Sequence, residues 1–202
     1  MLKRVGVIIS EKIIRRIVKE GGLIIRRTSK KKRNSCKGEI SPSVPNVIQR
    51  DFYAEKPNCK WLTDIIEFAI LAGKVYLSPT MDCFDGMLPS WTIGFSPDAA
   101  LVNKMLNKAV EQLNENAHPI NHSGRRCHYR WSGWIERMDK AGLERIMSKK
   151  ECSFDNSACE GLFGCIKNEM FCNRDWGDTS VYQFIEILYE YLIWYNDNRI
   201  KE

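Results

Sequence analysis

Apolar positions alternate or recur at helical spacing along most of the chain, and these patterns predict its strands and helices. Three apolar stretches separated by turn signals predict an antiparallel meander over residues 61–68, 74–81 and 88–95. After Pro97 and Asp98, apolar residues three and four positions apart predict a helix that runs to about residue 113. The same patterns predict further strands at 119–123 and 143–147 and helices at 135–141, 156–171 and 181–195.

The order of these elements indicates a fold class. Three antiparallel strands followed by helix, strand, helix, strand and helix is the order of ribonuclease H-like α/β folds. We therefore expect a five-stranded mixed sheet flanked by helices on both faces.

The first 37 residues differ from the rest in charge. They contain 13 Lys or Arg against two Glu, a net of +11, so the remainder carries −5 of the chain's +6. Apolar residues at helical spacing predict a capped amphipathic helix from Ser10 to Gly21. Among the basic residues of the helix and of the segment after it, the candidates for binding are Arg15, Arg16, Lys19, Lys30, Lys31, Lys32 and Arg33. This basic arm favours a polyanionic partner, although the lysine cluster alone is equally typical of a solvated linker.

Composition excludes several other classes of protein. The eight cysteines contain no Cys-x-x-Cys pair, and no such pair follows His118 and His122, so we expect no zinc site. The chain is too long and too rich in core residues to need a disulfide framework, and the apolar run at residues 5–9 is too short for a signal peptide, so we expect reduced thiols. Glu67 interrupts the apolar segment around residues 65–71, and no stretch is long enough to span a membrane. We expect a cytoplasmic protein.

Two acidic residues stand out from their surroundings. Asp64 falls inside a predicted buried strand, where a carboxylate needs a partner. Glu160 lies in a predicted helix with Asn156 four residues before it and Lys167 seven residues after it, so the three side chains share one helix face. An ordinary exposed helix face would give the same spacing.

Six ordered stretches resemble one known family. They are Lys60-Trp-Leu-Thr-Asp-Ile-Ile-Glu-Phe68, Lys74-Val-Tyr-Leu-Ser-Pro79, His118-Pro-Ile-Asn-His-Ser123, Cys127-His-Tyr-Arg-Trp131, Asp155-Asn-Ser-Ala-Cys-Glu160 and Trp194-Tyr-Asn196. Together they resemble the second-frame transposase of the IS-three group of insertion sequences, which belongs to the DDE superfamily with the retroviral integrases.

The resemblance implies a domain plan and partners. Residues 1–37 would be the remnant of a helix-turn-helix DNA-binding region, 38–58 a linker, and 59–202 an integrase-type catalytic core that ends earlier than in the family. The implied partners are double-stranded DNA at insertion-sequence ends, target DNA and further copies of the chain on DNA. The implied location is the bacterial cytoplasm, at the nucleoid.

The family's acidic triad is incomplete in this chain. The resemblance assigns Asp64 and Glu160 as catalytic and metal-binding residues, for Mg²⁺ or Mn²⁺, and places a second Asp so that 35 residues lie between it and the Glu. That position is Gly124, followed by Arg125 and Arg126, whose charge further disfavours a cation. Lys167 matches the basic residue that the family keeps seven places after its Glu, and the resemblance implies that Lys167, Asn156 and the basic arm contact DNA. Asp82, Asp85 and Asp155 are not expected to replace the missing acid.

Three functions fit these observations. The first is metal-dependent DNA strand transfer that is impaired by Gly124. The second is a non-catalytic protein that binds element ends or interferes with intact transposase. The third, a ribonuclease H-type nuclease, shares the fold but explains neither the basic arm nor the motifs after residue 118.

Overall fold

A computed structural model of the chain describes residues 10–21, 51–114, 116–124, 127–148 and 157–199. The chain divides into two units, residues 1–33 with residue 202, and residues 34–201. In the described part the first unit contributes helix α1 (Glu11–Glu20). The predicted boundary between arm and linker at residue 37 lies outside the described residues.

Helix α1 forms where the amphipathic pattern predicts it, but its N-terminus is capped differently. Ser10 occupies the cap position in extended backbone, yet its hydroxyl accepts no hydrogen bond. Its carbonyl instead accepts the amides of Ile13 and Ile14 at 3.0 and 3.1 Å. The prediction of a side-chain cap at Ser10 is therefore wrong, whereas the amphipathic pattern predicted the helix correctly.

The second unit contains the sheet and the other helices. In chain order the elements are β1 (Lys60–Thr63), β2 (Ile66–Ile70), β3 (Gly73–Asp82), β4 (Ser90–Gly94), α2 (Ala99–Val110), β5 (Ile120–Ser123), α3 (Ser132–Lys140), β6 (Glu144–Met147), α4 (Ser157–Ile166) and α5 (Val181–Asp197). A 3₁₀ turn (Cys127–Arg130) precedes α3, and a π turn (Lys167–Phe171) extends α4. Each predicted strand and helix has a counterpart here. Within the described residues, no helix is both long enough and apolar enough to cross a membrane.

The sheet is mixed, as predicted. β1, β2 and β4 all run antiparallel to β3, whereas β5 runs parallel to both β1 and β6. The parallel strands β1, β5 and β6 end at the same edge of the sheet, so the residues that follow them come close together.

The predicted first strand, residues 61–68, is interrupted and forms two strands. Thr63 pairs with Thr80 and Ile66 pairs with Leu77, so β1 and β2 keep one register along β3. Continuing that register places Pro79 opposite Asp64. Proline has no amide hydrogen to donate to the ladder, and the Pro79 carbonyl accepts the Thr63 hydroxyl at 2.9 Å instead. The described sheet therefore has six strands in five strand positions, with Asp64 at the break.

Two hydrophobic cores cover the two faces of the sheet. On one face, Leu62, Ile66 and Phe68 pack with residues of α4 and α5. On the other face, Trp61 and Ile65 pack with residues of α2 and α3. This alternation along one strand is the pattern expected for a sheet buried on both sides.

Candidate active site

Asp64 and Gly124 lie side by side at the edge where β1 and β5 end. The two strands run parallel with Thr63 paired to Ser123, so the next residue of each strand is Asp64 or Gly124. A Cβ atom on Gly124 would lie 3.2 Å from Oδ1 and 3.4 Å from Oδ2 of Asp64. Any side chain at position 124 would therefore contact the Asp64 carboxylate.

The Asp64 carboxylate is held by the local backbone. Its side chain is half-buried, and Oδ1 accepts the amide of Ile65 at 2.8 Å. Gly124 is buried and its φ lies outside the left-handed region, so the backbone there admits residues other than glycine. The glycine is not required by the conformation of the turn.

Helix α4 covers the same face of the sheet to which Asp64 belongs. Side chains alternate along the strand, and Leu62 and Ile66 on either side of Asp64 pack with Cys159 and other residues of α4. Glu160 follows the buried Cys159 in the first turn of the helix and is exposed. A carboxylate in this position is favoured by the partial positive charge of the helix N-terminus.

The acids considered as replacements for position 124 are engaged elsewhere or lie outside the described residues. Asp82 pairs with Trp61 at the opposite end of β1, about 10 Å from Asp64 by the rise of a strand. Its buried carboxylate accepts the amides of Asn58 at 2.6 Å and Phe84 at 2.9 Å. Asp85 accepts the amide of Met87 at 2.9 Å. Asp155 lies outside the described residues, as do Arg125 and Arg126.

The side chains at this edge do not make a complete site for divalent cations. Across the described part of the chain, no group of three or more His, Cys, Asp and Glu side chains is arranged to hold a metal ion. Mg²⁺ prefers several oxygen ligands in near-octahedral geometry. Gly124 supplies no side-chain oxygen beside Asp64, so the described residues at this edge offer fewer ligands than Mg²⁺ prefers.

The basic residues predicted to bind DNA occupy different parts of the structure. Arg15, Arg16 and Lys19 are exposed on α1, where Arg16 forms a 3.7 Å ion pair with Glu20. Lys167 is half-buried at the start of the π turn. The predicted residues outside the described part are Lys30, Lys31, Lys32, Arg33 and Asn156.

A buried polar pair near this edge was missed by the sequence analysis. His122 pairs with Leu62 across β1 and β5, and its Nε2 lies 3.0 Å from the Ser148 hydroxyl. The Ser148 amide donates to the Ser123 carbonyl at 3.1 Å. In the sequence, His122 stands out only by its spacing from His118 and by the motif that contains it. Its pairing with Ser148 depends on the parallel packing of β5 and β6, which no local pattern specifies.

The chain matches a family model and several curated proteins. Residues 54–152 match the integrase core domain. A probable transposase for insertion sequence element IS1353 of Shigella flexneri is 47% identical over 97% of this chain, which spans 38% of that protein. A putative transposase InsK for insertion sequence element IS150 of Escherichia coli (strain K12) is 36% identical over 98% of this chain and 69% of the relative.

Solved structures support the fold. A simian T-cell lymphotropic virus intasome in complex with a PP2A regulatory subunit matches with a TM-score of 0.63 and 15% identity, over 82% of this chain and 56% of the other. The HTLV-2 integrase catalytic core domain in complex with magnesium matches with a TM-score of 0.56 and 15% identity, over 72% of this chain and 90% of the other. At this identity the likeness concerns the ribonuclease H-like fold of integrase cores.

Proposed function

Because this chain belongs to the insertion-sequence transposases of the DDE superfamily, which carry an integrase core domain, we propose that it is a DNA strand-transfer protein impaired by glycine at position 124. The observation that carries the proposal is the contact between position 124 and Asp64. The Cβ of any residue at 124 would meet the Asp64 carboxylate at 3.2 to 3.4 Å. That is the neighbourhood in which the family places its second Asp.

The chemistry of phosphodiester exchange explains the impairment. In a complete site, carboxylates would hold the divalent cations, which would supply activation of the attacking oxygen and stabilisation of the leaving oxygen. In the proposed site Asp64 and Glu160 are the remaining acids, since α4, which carries Glu160, packs on the face of the sheet to which Asp64 belongs. Loss of a group that only supports a metal ligand typically costs about 10 to 100-fold in metal affinity or activity, so loss of the ligand itself should cost on the order of 10³-fold or more.

The residues that remain fit DNA binding better than cleavage. The exposed basic side chains of α1 offer contacts to phosphates, and Lys167 offers a contact on the helix that carries Glu160. This supports a second candidate function, a non-catalytic protein that occupies element ends or joins mixed oligomers with intact transposase and inhibits them. The partners in this proposal are insertion-sequence ends, target DNA and other copies of the chain.

A strand-transfer assay on element-end DNA tests the first function. The unmodified chain, Gly124→Asp and Gly124→Asn would be compared in Mg²⁺ and in Mn²⁺. Asp and Asn have nearly the same shape, so the Asn variant controls for the added volume beside Asp64. We expect Gly124→Asp to exceed both other proteins by on the order of 10³-fold.

The other outcomes separate the candidates. If the unmodified chain is as active as Gly124→Asp, the impairment is refuted. If no variant transfers strands but all bind element-end DNA, the non-catalytic function is the better account.

A further inference from the structure

The helix that carries Glu160 ends in a wider turn. After Ile166 the backbone changes from α to π geometry over Lys167–Phe171, and the amide of Cys172 donates to the Lys167 carbonyl at 2.6 Å. Turns of this kind are rare and occur often at functional sites. Lys167 is the first residue of the turn, so the geometry of the turn sets the direction of its side chain.

Side chains donate hydrogen bonds to the backbone carbonyls at this end of the helix. The Asn173 amide donates to the Asn168 carbonyl at 2.8 Å, and the Trp176 indole donates to the Phe171 carbonyl at 2.9 Å. The Phe171 ring also stacks on Trp176 with centroids 5.9 Å apart. The end of the π turn is therefore fixed by its own sequence neighbours.

The middle of the turn is held from the far end of the chain. Arg199 donates to both oxygens of Glu169 at 2.9 to 3.2 Å, and the Tyr191 hydroxyl donates to Oε2 at 2.7 Å. The side chains of Arg199 and Glu169 are only 24% and 34% exposed. Forked arginine–carboxylate contacts of this kind fix orientation as well as position.

Both donors keep their protons under ordinary conditions. The hydrogen bond to Glu169 raises the pKa of Arg199. Burial, followed by the hydrogen bond to Glu169, raises the pKa of Tyr191. In the clamp formed by Glu169, Tyr191 and Arg199, neither donor therefore loses its proton near neutrality.

We infer that Arg199 and Tyr191, acting through Glu169, are positioning residues that direct Lys167 toward a DNA phosphate. The inference rests on the proposed DNA-binding role of Lys167. Glu169 lies two residues after Lys167 in the same turn, so fixing Glu169 fixes the backbone that carries the lysine. The clamp also neutralises a carboxylate that would otherwise repel the phosphate.

Removing the Glu169 carboxylate distinguishes an effect on the position of Lys167 from an effect of net charge. Glu169→Ala makes the protein more positive, and through charge alone it should bind DNA more tightly. If the clamp positions Lys167, it should instead weaken binding roughly three- to tenfold and flatten the salt dependence. Glu190→Ala, an exposed position on α5, makes the same charge change as a control and should not weaken binding. Fluorescence anisotropy with element-end DNA measures the affinity and its salt dependence for each variant.

A double-mutant comparison assigns the effect to Lys167. Lys167→Ala should weaken binding and lower the salt slope by about 1, and it should have little further effect in a Glu169→Ala background. Tyr191→Phe, which removes one hydrogen bond of the clamp, should give a smaller weakening, and Arg199→Lys should retain part of the wild-type affinity. Thermal unfolding of each variant shows that the fold is kept.

Two outcomes would overturn the inference and are distinguishable. In the first outcome Lys167→Ala weakens binding, but Glu169→Ala either strengthens binding or weakens it further by the same factor in the Lys167→Ala background. The clamp then does not position the lysine, while the DNA-binding proposal stands. If Lys167→Ala leaves binding unchanged, the DNA-binding role of Lys167 fails as well.

Discussion

Gly124 faces the carboxylate of Asp64 so closely that a Cβ added to the glycine would lie 3.2 Å from Oδ1. The two residues are 60 positions apart in the sequence and meet because β1 and β5 are parallel and end together. A Cβ atom at position 124 would need the Asp64 carboxylate to give by a few tenths of an ångström. Without a cation between them, two carboxylates at this distance would repel each other.

The basic face of α1 should contribute to the salt dependence of DNA binding. Replacing Arg15, Arg16 and Lys19 with Gln should reduce the slope of log affinity against log salt by about 2 to 3, since each phosphate contact contributes about 0.9. A matched variant changes three exposed lysines of the second unit, Lys104, Lys108 and Lys140, to Gln. If both triple variants change the slope equally, α1 has no special role in binding DNA.

Phe184 should be a major determinant of stability. Its ring is fully buried and lies 4.8 to 5.9 Å from those of Phe68, Phe171 and Trp176. Phe184→Ala should lower the free energy of unfolding by about 3 to 5 kcal/mol, as measured by urea denaturation. Tyr182→Ala removes a ring that is 71% exposed on the same helix. Comparable losses in the two variants would show that this core contributes less than its packing implies.

Asn196 should stabilise the loop before β4. Its side chain donates to the Leu88 carbonyl at 3.0 Å and accepts the Leu88 amide at 2.9 Å, as a neighbouring strand would. Asn196→Ala leaves both backbone groups without this partner and should cost about 1 to 3 kcal/mol of unfolding free energy. Asn198→Ala, at an exposed position two residues later, provides the comparison. A neutral effect of Asn196→Ala would mean that water replaces the amide without loss.

Stability should fall as the solution becomes alkaline. Burial, with a smaller contribution from Asp82, raises the pKa of the Cys83 thiol from 9.0 to about 12. Between these values the unfolded chain loses the proton while the native state keeps it, so the free energy of unfolding decreases with rising pH. Urea denaturation between pH 7 and about 11 should show a shallower decrease for Cys83→Ala, whereas Cys172→Ala, at an exposed thiol, should follow the unmodified chain. Identical pH profiles in all three proteins would refute this assignment.

Local patterns were sufficient for the elements of the fold. Helix α2 follows the predicted spacing, with Leu101, Met105 and Leu106 buried and Asp98 accepting the amide of Leu101 at 2.9 Å. The alternation of apolar residues around Asp64 also predicted a strand at that position. The strand's interruption depends on Pro79, which is opposite Asp64 only in the folded register, and local patterns do not specify register.

The residue types and the family resemblance identified candidate residues of the site, but they did not give the contacts between those residues. The absence of an acid at position 124 is visible in the sequence, and its neighbourhood with Asp64 follows from the pairing of β1 with β5. The contact of Glu169 with Arg199 joins residues 30 positions apart, and that of Leu88 with Asn196 joins residues 108 positions apart. Such contacts arise from tertiary packing, for which the spacing of residues carries no signal.

Isothermal titration with Mg²⁺ tests most directly whether Asp64 and Glu160 form a cation site that lacks only the acid at position 124. The titration would compare the unmodified chain, Gly124→Asp, Gly124→Asn, and Gly124→Asp combined with Glu160→Gln. Gly124→Asp should bind Mg²⁺ at least about tenfold more tightly than the unmodified chain, and the Glu160→Gln change should abolish that gain. Two results would contradict the claim that Asp64 and Glu160 belong to one cation site. These are equal affinities of the unmodified chain and Gly124→Asp, or a gain in affinity that persists without the Glu160 carboxylate.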